Sequence, residues 1–83
     1  MNKVMVEINI PVTGTCYDVL LPKTLSMSQA TSLLAGFFTG LTGGAYMPDQ
    51  DTVLCSMDDG RIYNVNSSVE DLHLQNGSKL MLI

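Results

Sequence analysis

Between Lys3 and Ile10 apolar and polar positions alternate. Val4, Val6, Ile8 and Ile10 share one parity, while Lys3, Glu7 and Asn9 share the other. A period of two with β-branched residues on one side predicts a half-buried strand. Pro11-Val12-Thr13-Gly14 interrupts the pattern, and Thr15 to Leu21 resumes it with Tyr17, Val19 and Leu21 as the inward set. Two such runs around a short Pro/Gly break predict a hairpin. After Pro22 the period lengthens. Ser26 is followed three residues on by Gln29, a capping box that opens a helix. Ala30, Leu33, Leu34, Phe37 and Leu41 then recur at helical spacing as one apolar stripe. Gly40, Gly43 and Gly44 offer left-handed stopping points, so the helix is expected from Met27 to about Gly40.

Ala45 to Thr52 reads as a connector carrying Tyr46, Met47 and Pro48. Val53 to Met57 is strand-like, Asp58-Asp59-Gly60-Arg61 is a turn, and Ile62-Tyr63-Asn64-Val65 returns as a short strand. Ser67 or Ser68 caps a single helical turn that ends near Leu72. Ser78 to Ile83 closes the chain as a strand with Leu80 and Leu82 inward. The order is strand, strand, helix, strand, strand, helical turn, strand.

The 83 residues suffice for one core, and residues 1–83 are taken as a single domain. Hydrophobic residues make up 46% of the chain and charged ones 14%, so the polar surface is lean and a partner or self-association is expected. The four cations, Lys3, Lys23, Arg61 and Lys79, are scattered and the net charge is −4, which argues against nucleic-acid binding. The opening Met1-Asn2-Lys3-Val4 enters the alternation directly and lacks the apolar run of a secretory signal, so a cytoplasmic location is expected. Gly36, Gly40 and Gly44 are spaced as in membrane helix pairs, but the stretch is too short to span a bilayer, so no membrane insertion is expected.

Several residues together resemble a known family. Thr13-Gly14 in the first turn, Pro22 after the second strand, and Val69-Glu70-Asp71-Leu72-His73-Leu74-Gln75-Asn76-Gly77 before the last strand fall where ubiquitin-like β-grasp domains place similar residues. Tyr17-Asp18, together with Asp71, Leu74, Asn76 and Gly77, resembles the YukD/EsaB group of bacterial ubiquitin-like proteins associated with type VII (ESX-like) secretion. His73 departs from the group, which tends to have glycine there; a left-handed backbone at this position would accommodate both residues.

The resemblance implies an α+β fold: a mixed five-stranded sheet in the order 2-1-5-3-4 packed on one α-helix. In that order Cys16 and Cys55 lie three strand spacings apart, roughly 14 Å at ~4.8 Å each, too far for a disulfide. Free thiols are therefore expected, in keeping with a reducing compartment.

No catalytic, cofactor or metal site is expected. His73 is the only histidine and neither cysteine is near it in sequence, which leaves no nucleophile–base pair. Asp49 and Asp51 begin like a calcium loop, but the glycine and glutamate such a cage needs do not follow. Two cysteines are too few for a ferredoxin-type cluster.

Taking Leu54 as outward, although Val53-Leu54-Cys55 offers either parity, places Met5, Leu20, Leu54 and Met81 together on the open sheet face. Contiguous apolar and methionine side chains of that kind mark a protein-binding patch. The expected function is a non-enzymatic, non-conjugated binding module, an accessory of a type VII-like secretion system that docks on a system component or on a second copy. The alternative, a sulfur- or ubiquitin-type carrier, is disfavoured because Leu80-Met81-Leu82-Ile83 has no Gly-Gly.

Overall fold

The computed structural model describes residues 2–44, 48–49 and 52–83. Its elements are β1 (Lys3–Ile10), β2 (Thr15–Pro22), α1 (Met27–Leu41), β3 (Leu54–Ser56) and β4 (Ser78–Leu82). β1 and β2 form the antiparallel hairpin that the alternation predicts, closed over Pro11–Gly14, with Gly14 at φ 66° and its N–H donating to the Ile10 carbonyl. β4 runs parallel to β1 and antiparallel to β3, so the sheet order is β2-β1-β4-β3.

This is the expected order with its outermost strand missing. The 62–65 run makes only one bridge, Cys55 with Ile62, and does not count as a fifth strand. Two backbone hydrogen bonds, Ser56 N–H to the Arg61 carbonyl at 2.9 Å and Tyr63 N–H to the Leu54 carbonyl at 3.1 Å, hold this run beside β3. Tyr46, Met47 and Asp51 lie outside the described residues.

α1 begins on the predicted capping box. The Gln29 N–H donates to Ser26 Oγ at 3.1 Å, and Gln29 Oε1 accepts from the Ser26 N–H at 3.1 Å. The helix ends in a Schellman arrangement: the Gly44 N–H reaches the Thr39 carbonyl and the Gly43 N–H the Gly40 carbonyl, with Gly43 at φ 62°. A second reciprocal cap holds the turn after β3. The Asp71 N–H donates to Ser68 Oγ at 3.0 Å, and Asp71 Oδ2 accepts from the Ser68 N–H at 3.2 Å. His73 follows at φ 54°, the left-handed backbone expected there.

The core lies between the sheet and α1. Val4, Val6, Ile8 and Ile10 of β1, and Leu80 and Leu82 of β4, meet Met27, Ala30, Leu34 and Phe38 of the helix. The buried helix stripe is therefore Met27, Ala30, Leu34, Ala35 and Phe38. Leu33, Phe37 and Leu41, expected within the same stripe, are instead 56%, 56% and 50% exposed. The helix is apolar on two flanks, and only one can face the sheet.

Candidate functional site

The open face of the sheet is built in rows set by strand register. One row runs Leu20–Met5, the next Asp18–Glu7–Lys79, and the third Cys16–Asn9–Met81–Cys55. The middle row is charged, so the face is not a continuous apolar surface. Met5 and Asn9 are four residues apart on β1, which puts the Met5 and Met81 rows about 13 Å apart at ~3.3 Å per residue. Met81 is half-buried, whereas Met5 is 39% exposed and Leu20 49%.

Leu54 is not on this face. It pairs with Leu82, is 2% exposed and belongs to the core. The four-residue patch expected from Met5, Leu20, Leu54 and Met81 thus reduces to the neighbours Met5 and Leu20, with Met81 set apart. Of the two parities open to Val53-Leu54-Cys55, packing selects the one that places the larger Leu54 side chain in the core cluster. Cys55 takes the opposite side, beside Met81, yet is 1% exposed; its Sγ lies 3.8 Å from the Met81 carbonyl. Burial pushes the Cys55 thiol above its ordinary pKa. Both cysteines are free thiols, Cys16 exposed and Cys55 buried.

The surface that pattern reading missed lies on the other side of the sheet, between α1 and the edge strand β2. Leu33, Phe37 and Leu41 recur every four residues along α1 and line a groove of about 300 Å³ with Tyr17, Val19 and Asp18. The buried Leu34 completes the lining, and two of the groove's rings rest on buried Phe38: Tyr17 stacks on it with centroids 5.1 Å apart, and Phe37 meets it edge-on at 5.3 Å. α1 carries no charged residue from Met27 to Leu41, so no ionised helix side chain borders this flank. A helix with an uncharged outer face is the signal that could have found it.

Other depressions are more polar. His73 lines one with Lys23, Glu70, Leu74 and Gln75, and neither cysteine is among its walls. Among the described residues no three His, Cys, Asp or Glu side chains converge as metal ligands, and no helix is long and apolar enough to cross a membrane.

No protein-family model matches the chain, and no curated protein matches it in sequence. Solved structures do match in shape. A chain of the MycP5-free ESX-5 inner membrane complex superposes with a TM-score of 0.83 at 20% identity over 100% of this chain, which spans 21% of that chain's length. The EccD5 ubiquitin-like domain from Mycobacterium xenopi gives a TM-score of 0.83 at 19% identity, covering 100% of this chain and 94% of that one. The ubiquitin-like domain of the Mycobacterium tuberculosis type VII secretion system protein ECCD1 gives 0.79 at 14% identity, covering 100% and 99%. At such identities the likeness establishes architecture: the chain has a ubiquitin-like α+β fold, one helix gripped by a four-stranded mixed sheet.

Proposed function

We propose that the chain is a non-enzymatic ubiquitin-like module that binds protein partners non-covalently, as a cytoplasmic accessory of a bacterial type VII secretion assembly of the YukD/EsaB kind. The observation that carries the binding role is the uncharged flank of α1, where Leu33, Phe37 and Leu41 stand at least half exposed beside an edge strand. Exposed apolar side chains in one contiguous groove mark docking sites, and aromatic anchors dominate their energetics. The secretion assignment draws its support from the ubiquitin-like domains of type VII components that share this fold. The docking surface is accordingly the α1–β2 groove, extended across the β2 edge to Leu20 and Met5, in place of the open face as a whole.

Affinity capture from native cells tests both parts. The wild-type chain is expected to retain components of a type VII membrane assembly, and Phe37→Asp to reduce that retention about tenfold or more, as loss of an aromatic anchor does. Retention equal in the Phe37→Asp chain would remove the groove from the mechanism. Retention of proteins unrelated to secretion would remove the system assignment.

A further inference from the structure

β2 is an edge strand, and its register identifies which backbone groups are unused. The Lys23 N–H donates to the Asn2 carbonyl at 2.8 Å, so in the alternation of an antiparallel ladder Leu21, Val19, Tyr17 and Thr15 also turn their backbone groups toward β1. The other face of β1 agrees: the Met5 carbonyl accepts from the Gly77 N–H on the β4 side. The N–H and C=O groups of Cys16, Asp18 and Leu20 therefore point away from the sheet. Outside the strand ladder, no backbone hydrogen bond to them occurs among the described residues.

Side-chain chemistry beside that edge is specific. On the helix side lies the apolar groove of Leu33, Phe37 and Leu41. On the open side the central β2 residue is Asp18, whose cross-strand neighbour is Glu7. Two like charges directly opposite each other are unfavourable, and Glu7 has Lys79 on its far side while Asp18 has no strand beyond it. A strand added to this edge would place one residue opposite Asp18 and its two neighbours over the groove.

We infer that the α1–β2 edge receives an extended peptide segment of a partner protein in which apolar and basic residues alternate. The segment pairs its backbone with Cys16, Asp18 and Leu20, seats its apolar residues against Leu33, Phe37 and Leu41, and sets Lys or Arg beside Asp18. This rests on the protein-binding reading and adds the chemistry of the partner. A second copy of the chain does not fit that chemistry. β2 brings only Asp18 as a charge, and none of Lys3, Lys23, Arg61 and Lys79 stands between two large apolar residues.

The test uses labelled nonapeptides read by fluorescence anisotropy: Ser-Gly-Ile-Lys-Ile-Lys-Ile-Gly-Ser, the same peptide with Glu for Lys, and the same with Ser for Ile. The Lys peptide is expected to bind the wild-type chain at least about fivefold more tightly than the Glu peptide, the size of a favourable against an unfavourable cross-strand pair. Asp18→Lys, an exposed substitution, is expected to reverse that order, and the Ser peptide to lose binding altogether. Three results overturn the inference: an unchanged order in Asp18→Lys, no binding of the Lys peptide up to about 1 mM, or a concentration-dependent dimer that excludes it. If capture of secretion components survives any of these, the binding module stands and only the peptide chemistry falls.

Discussion

Leu54→Asp is expected to leave the chain unfolded at room temperature, whereas Met5→Asp is expected to melt within a few degrees of wild type. Leu54 is 2% exposed, packs in the cluster with Leu82, and has its carbonyl bound by the Tyr63 N–H. Truncating a buried leucine alone costs about 2–5 kcal/mol. An unpaired carboxyl group in that cluster adds several more, because among the described residues no buried polar side chain is present to receive it. Domains of this size hold only about 5–15 kcal/mol in total, so the sum exceeds the lower part of that range. Met5 sits on the opposite side of the sheet at 39% exposure, where a carboxylate remains in water. Circular dichroism during heating distinguishes the two cases. A cooperative transition near the wild-type temperature in Leu54→Asp would mean that β3 presents its other face.

The adjacent phenylalanines should separate stability from binding. Phe38→Ala is expected to cost about 3–5 kcal/mol, as deletion of a fully buried ring does. That ring is 0% exposed and stacked on Tyr17, so its loss leaves a cavity at the junction of α1 and β2. Phe37 is 56% exposed, and its truncation is expected to cost no more than about 1 kcal/mol. Urea unfolding provides the measurement. A large fall in midpoint for Phe38→Ala with an unchanged slope marks lost packing in a native state that is otherwise preserved. Similar midpoints for the two variants would contradict the assignment of one ring to the core and the other to the surface.

The contrast between these neighbours also shows where pattern reading stops. In β1 every inward residue was legible, because strict alternation leaves one solution: Val4, Val6, Ile8 and Ile10 are all buried. Local chemistry was equally readable. The Ser26–Gln29 capping box and the left-handed glycines after α1 each depend on a few consecutive residues, and both occur in the structure.

The helix face was harder. α1 has apolar residues on more than one flank, so its stripe is set by what lies opposite, and the sheet selects Met27, Ala30, Leu34 and Phe38. The same ambiguity governs β3, where three residues cannot establish a parity by themselves. Pairing of Leu54 with Leu82 across the sheet decides it. Both differences concern tertiary partners and not propensity. They moved the candidate site from the middle of the open face to its β2 edge and the flank of α1.

Amide hydrogen exchange on the complex with its captured protein partner tests the location of the site most directly. Backbone groups of Cys16, Asp18 and Leu20 face away from the sheet, so their amides are expected to exchange rapidly in the isolated chain and to slow when a partner strand pairs with them. Slowing is expected together with spectral changes at Leu33, Phe37 and Leu41. Protection confined to the neighbourhood of Met81 and Cys55, with the β2 amides still exchanging freely, would contradict the account.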